Sequence, residues 1–357
     1  MTTLEVDTAR AEAFAGRMVG LLNESFVGLM ISIGHQTGLF DALATLPPAT
    51  SARIAQTTGL QERYVREWLA ALVVGGIIDY DAGARSYHLP PEHAAALTRA
   101  AGPDNLAFYT QYLALAGAVE QPLIDCFRNG GGVPYSAFAR FQELQREETS
   151  PIYDATLVQS TLPLVPGLVA RLEDGVDVAD FGCGGGHALT VMARAFPKSR
   201  FTGYDFSEDG IAAGRAEAAS LGLTNVSFEV QDIATLETTG RFDLITAFDT
   251  VHDQARPARV LATVARALRP GGVFLLVDIA GSSNLEENLE HPFAPFLYAV
   301  SVLHCMTVSL AQGGEGLGTM WGEQTARRML GEAGFTDIAV EHVEGDMINA
   351  YYICKRS

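Results

Sequence analysis

Cysteine is scarce: Cys126, Cys183, Cys305 and Cys354 are the four in 357 residues, and no two form a C-x-x-C pair. That spacing excludes a disulfide scaffold and a cysteine-based zinc site, and it fits a reducing compartment. The eight histidines are scattered, so no metal is expected. Positive charge is short too, with 24 Lys and Arg against 42 Asp and Glu and a formal net charge of −18. A nucleic acid or an anionic membrane is therefore a poor main partner. The N-terminus lacks a basic start followed by an apolar run, so no signal peptide is read. The most apolar stretch, 296–310, is interrupted by Ser301, His304, Thr307 and Ser309 and is too short and polar for a bilayer span. The expectation is a soluble, cytoplasmic protein.

What is present divides in two. At this length two domains are expected, a mostly helical one over 1–155 and a second over 156–357. Residues 9–35 carry apolar side chains at three- and four-residue steps, including Phe14, Met18, Leu22, Phe26 and Ile33. Apolar positions surround much of 26–33, which leaves two readings: a homodimer interface, or a helix buried in its own chain. Residues 38–97 follow as short helix, helix stopped at Gly59, helix and small hairpin, the cadence of a winged helix-turn-helix. Up to Thr98 there are six Lys and Arg against ten Asp and Glu, a poor match to phosphate, so dimerisation is the expected use.

From residue 176 strands and helices alternate, the pattern of a doubly wound, mainly parallel sheet with its ligand at the carboxyl ends of the strands. The first strand ends at Asp180-Phe181 and runs into Gly182-Cys183-Gly184-Gly185-Gly186, then a helix opens at His187. Glycines there let the backbone turn and approach a ligand. A dinucleotide fingerprint would need its third glycine where His187 stands, and Asp180 suits a pyrophosphate poorly. Asp205 ends the next strand, about twenty residues on, where a carboxylate can take ribose hydroxyls. Asp232 ends the one after, beside Ile233.

With three strands ending in acids in turn, residues 151–357 resemble the class I methyltransferases that use S-adenosylmethionine. The resemblance implies that Asp180, Gly182, Cys183, Gly184 and Gly186 seat the methionine end, and that Asp205 and Phe206 flank the ribose. Asp232 and Ile233 would then hold the adenine, with Phe248 and Asp249 near the methionine part.

Transfer to a hydroxyl needs a base, since a phenol of pKa ~10 is mostly protonated at neutral pH. His252 follows the fourth strand in Phe248-Asp249-Thr250-Val251-His252-Asp253. The segment resembles small-molecule O-methyltransferases with an N-terminal winged helix, where a His-Asp-Trp motif supplies the base and an acid ending the fifth strand orients it. His252 and Asp278 match those roles. Gln254 stands in place of the tryptophan, and an Asp replaces the usual Glu, which puts contact between the pair in doubt. His252 as base and His252 as a cofactor or loop contact both stand.

The insertion between Asp278 and Glu323 is expected to cover a lipophilic or aromatic acceptor, with His304, Met320 and Trp321 as candidate contacts and a glycine-flanked gate at 316–322. Besides a small-molecule methyltransferase, the sequence leaves open a DNA-binding regulator responsive to S-adenosylmethionine, a non-catalytic binder of it, and a nicotinamide-dependent oxidoreductase.

Overall fold

The computed structural model describes residues 6–356. Asp7 caps the first helix, α1 (Thr8–Gln36), by accepting the Arg10 N–H at 3.1 Å. Gly38 and Gly59, both at φ 71°, end α1 and α3, which brackets α2 (Leu39–Thr45) and α3 (Ser51–Thr58). After α4 (Glu62–Val74), β1 (Asp79–Asp81) and β2 (Ser86–His88) pair antiparallel to make the wing. Phe40, Ile54, Trp68, Leu69 and Leu72 fill the core of this unit. Gly34 brings α1 close: a Cβ there would lie 2.5 Å from the Trp68 ring and 2.6 Å from Phe40. Trp68 Nε1 seals the approach by donating to Met30 O at 2.7 Å.

The two readings of α1 separate along its length. Ser32 and His35 are buried, whereas Phe14, Met18, Leu21, Leu22 and Phe26 are 48–60 % exposed.

The chain divides into compact units at Ala114/Leu115, and the boundary expected after residue 155 is displaced. The physical reason is local. Val119, Leu123 and Phe138 pack on Val308, and Val133 N–H donates to Thr307 Oγ1 at 2.8 Å, so residues 115–155 belong to the C-terminal unit.

The second unit is built on a seven-stranded sheet ordered β5-β4-β3-β6-β7-β9-β8. Its strands are β3 (Asp177–Phe181), β4 (Arg200–Asp205), β5 (Val226–Val230), β6 (Phe242–Phe248), β7 (Leu268–Ile279), β8 (Asp337–Glu341) and β9 (Asn349–Lys355). Pairing is parallel from β5 through β7, while β9 runs antiparallel to both β7 and β8. Helices cover both faces, so central strands are apolar on both sides: Val178, Phe181, Leu244, Ile245, Leu275 and Leu276 are all buried. The chain winds outward from β3 to β5 and then returns to β6 on the other side of β3. That reversal opens a crevice at the carboxyl ends of β3 and β6.

Strand β7 starts at Leu268, ahead of its buried run from Val273. Leu268 already pairs with Phe242, a bulge follows, and Gly271 at φ 75° absorbs the Arg-Pro-Gly-Gly turn while bonding Arg356. Ala294–Ala311 forms 18 continuous helical residues, long and apolar enough to cross a bilayer, as α1 also is. The expectation that this stretch is too short is thus corrected. Its His304, Cys305, Thr307 and Val308 are nevertheless buried within the unit.

Candidate functional site

The glycine loop after β3 is shaped by its own neighbours. Gly182, Gly184 and Gly186 take φ of 77°, 49° and 73°. A Cβ on Gly182 would sit 2.1 Å from Thr250, and one on Gly186 2.3 Å from the Phe228 ring. Gly184 N–H donates to Asp205 Oδ2 at 2.8 Å, and Asp205 Oδ1 accepts the Ser207 N–H at 2.8 Å. The loop and the acid ending β4 are therefore one bonded unit. Burial pushes the Asp205 carboxyl up. Asp180, fully buried and taking the Thr246 hydroxyl at 2.7 Å, is pushed up to about 7, chiefly by burial.

A cleft of about 950 Å³ opens over this loop. Asp180, Gly182, Cys183, Gly184, Gly186, Asp205, Phe206, Ile233, Phe248 and Asp249 all line it. Asp232 does not: its exposed carboxylate caps the following turn by accepting the Ala234 N–H at 2.8 Å, and Gln231 lines the cleft instead. The other wall was missed. Phe141, Gln142, Gln145, Arg146 and Thr149 line it from one face of the helix Phe141–Ile152, and Tyr153 and Tyr135 extend it. These positions share one helical face, but nothing in their composition marks that face as a cleft wall.

At the end of β6, the parallel register that sets Phe248 opposite Val277 brings Asp249 beside Asp278. Asp249 is held at φ 50°, a left-handed conformation uncommon outside glycine, and its Oδ1 is buried without a partner among the described residues. Burial and the neighbouring Asp278 push it up to about 8. His252 Nδ1–H donates to Asp278 Oδ1 at 2.6 Å, so the shorter acid does reach. Trp321 Nε1–H donates to the same oxygen at 3.1 Å, and Asp278 Oδ2 has no partner among the described residues. Burial alone would lower the His252 imidazole; the Asp278 charge and the adjacent Cys305 outweigh it and hold the imidazole well above its usual range.

His252 is itself buried, while its neighbours Asp249 and Asp253 line the cleft. Asp253 accepts from the Tyr135 hydroxyl, and burial sets it at about 6. Asp249, His252 and Asp278 each bring a donor atom within 4.8 Å of the others, a cluster the scattered histidines hid.

The three acceptor-contact candidates fare differently from expectation. Trp321 is 4 % exposed, and it braces Asp278 where a mobile gate was expected. The glycines near it serve close packing: Gly318 N–H donates to His252 O at 3.0 Å, and a Cβ on Gly322 would lie 2.1 Å from Ser283 N. His304 is buried and stacked on Phe141 at 3.8 Å, with burial pushing its pKa down to about 3. Met320 packs by Gly281, and none of the three lines the cleft.

Two family models match the chain, an Rv2258c-like winged HTH domain over residues 25–99 and a methyltransferase domain over 172–334. The chain pairs a winged helix-turn-helix domain with a methyltransferase domain. Over 105 residues the chain is 35% identical to the fatty-acid O-methyltransferase of Mycolicibacterium smegmatis, covering 29% of this chain and 38% of that one. A 125-residue match is 38% identical to the nocamycin O-methyltransferase of Saccharothrix syringae, covering 34% and 45%. The chain thus spans less than half the length of these curated relatives. Human N-acetylserotonin methyltransferase, solved with S-adenosylmethionine, superposes over 100% of both chains with a TM-score of 0.70 at 18% identity, a likeness of fold.

The methyltransferase domain offers a donor set that fits that cofactor. Asp180, Asp205, Asp249 and Asp253 line the cleft, and burial raises the pKa of all four, which a cation would relieve. A sulfonium and an ammonium suit such a site, and a pyrophosphate does not.

Proposed function

We propose that this protein methylates a small lipophilic or aromatic molecule with S-adenosylmethionine, with oxygen as the favoured acceptor atom. The observation that carries this is the bond from Gly184 N–H to Asp205, which presents a carboxylate for ribose hydroxyls at the lip of the glycine loop. The two curated relatives are O-methyltransferases of a fatty acid and of nocamycin, and both support a small acceptor. When bound, the cofactor supplies a methyl group on a sulfonium that leaves as a neutral thioether.

The chain's own groups then position and deprotonate. Asp205 and Phe206 hold the ribose, the glycine loop seats the methionine end, and Gln231 and Ile233 meet the adenine. His252 takes the acceptor's proton at Nε2, because Asp278 fixes Nδ1–H and stabilises the imidazolium that forms. The buried surroundings exclude water. His304, Met320 and Trp321 act behind the acceptor, as support for its walls.

The winged-helix unit is proposed as a homodimer interface through the exposed face of α1, and the free thiols support a reducing, cytoplasmic setting. A regulator reading draws on the winged helix itself. A gel shift that tightens at low salt would favour it. The direct test is labelled methyl transfer from S-adenosylmethionine into a small-molecule extract and, separately, into protein and nucleic acid. Label confined to the small-molecule fraction and lost in His252→Ala supports the proposal; label in protein or nucleic acid overturns it.

A further inference from the structure

The chain holds two tryptophans, and one of them, Trp321, lies in the glycine-rich stretch 316–322. An indole has one N–H to donate and nothing with which to accept, so a buried one needs an acceptor. Trp321 is buried and directs that N–H to Asp278 Oδ1 at 3.1 Å. Its backbone fixes it there. Trp321 N–H donates to Gly318 O at 3.2 Å, and Trp321 O accepts the Ser283 hydroxyl at 2.6 Å. The same turn grips the other member of the buried pair, since Gly318 N–H donates to His252 O at 3.0 Å.

The two oxygens of Asp278 are used unequally. Oδ1 accepts from His252 Nδ1 at 2.6 Å, from Trp321 Nε1 and from the Ile279 N–H at 2.8 Å, whereas Oδ2 has no partner among the described residues. Indole and imidazole therefore share one oxygen. A hydrogen bond to a carboxylate is strongest when that charge is otherwise uncompensated, which here is when His252 is neutral. By linkage, the indole favours the neutral imidazole over the protonated one and so restrains its basicity. The other titratable groups about the ring are Asp249 and Asp253 on its own segment, and His304 and Cys305 on the helical segment Ser301–Cys305. The indole directs its one hydrogen to Asp278, so removing that hydrogen leaves those groups in place.

We propose that Trp321 is a positioning residue that acts through Asp278 and, by taking a share of the same oxygen, limits how basic His252 becomes. This rests on the proposed role of His252 as the base. The readout is the ring itself rather than methyl transfer, so the two readings fail separately.

In the full chain carrying nitrogen-15 histidine, NMR follows the His252 ring, whose signals are those missing from His252→Ala. Trp321→Phe removes the donor. Benzothienylalanine at the same position, with sulfur where the N–H was, removes it while keeping the shape of the indole. Both are expected to raise the titration midpoint of His252 by roughly 0.5 to 1 pH unit, and to move its Nδ1–H proton downfield as the oxygen turns wholly to it. A side chain that merely packs Asp278 in place predicts the reverse, a loosened pair with a lower midpoint and an upfield Nδ1–H. A lower or unchanged midpoint in the benzothienylalanine protein overturns the proposal, whatever Trp321→Phe does to folding. A raised midpoint, with methyl transfer that survives His252→Ala, sinks the role of His252 as base and leaves the tuning by Trp321 standing.

Discussion

His252 and Asp278 stand 26 positions apart and share a 2.6 Å hydrogen bond in the interior, with Trp321 bonded to the same carboxylate oxygen. The bond makes the imidazole a stronger base and commits Nδ1 to Asp278, while Cys305 also bonds the ring.

With a phenolic acceptor, His252→Ala should lower kcat by about 10²- to 10⁴-fold. Only the neutral imidazole can take a proton, so the rate should fall as pH drops through its raised pKa. Asp278→Asn removes the charge that raises that pKa, so the acid limb of the pH–rate curve should move to lower pH. An acceptor that is already a carboxylate needs no base, and its methylation should be spared. Loss on Asp253→Asn, with retention in His252→Ala, would reassign the proton to Asp253.

Asp180 gives a binding prediction. Burial raises its carboxyl to about 7, so it is neutral below that pH and ionised above it. A cationic ligand prefers the ionised form. Affinity for S-adenosylmethionine should therefore rise between pH 6 and 8, by at most about tenfold per pH unit, and Asp180→Asn should flatten that rise. A calorimetric titration at several pH values reads it directly.

Gly182→Ala should be costly without any ligand present. The new Cβ meets Thr250 at 2.1 Å, and φ 77° strains any other residue. Overpacking and backbone strain together predict a loss of about 2–5 kcal/mol, visible as a lower denaturation midpoint. An unchanged midpoint would show that the loop relaxes freely.

For α1, pairing Phe14→Glu with Leu22→Glu should convert a dimer to a monomer in sedimentation experiments. Thermal stability of the separated chain should change little, since these side chains are exposed and surface substitutions usually stay within about 0.5 kcal/mol. A wild-type protein that already sediments as a monomer rules out the interface.

Much of this was legible in the chain. The largely apolar runs ending at Asp180 and Asp205 give strands buried on both faces, and acids at their carboxyl ends mark the crevice. The wall from Phe141–Ile152 was not legible as a site, because Gln142, Gln145, Arg146 and Thr149 have the composition of an ordinary solvated face. Asp249 and Asp278 become neighbours only through the register of β6 on β7, which no local pattern encodes. Asp232 has the same sequence setting as Asp205, and each accepts the N–H two residues on, but only Asp205 also takes the Gly184 N–H and lines the cleft. Trp321 looked exposed because glycines surround it; they are there for tight packing.

The stack of Phe141 on His304 ties the helix over the glycine loop to the buried helical segment that carries His304. His304 neighbours Cys305, which touches the His252 ring. One packed column thus runs from the wall of the cleft to the buried imidazole, so a change at Phe141 is felt at His252 without any direct contact between them.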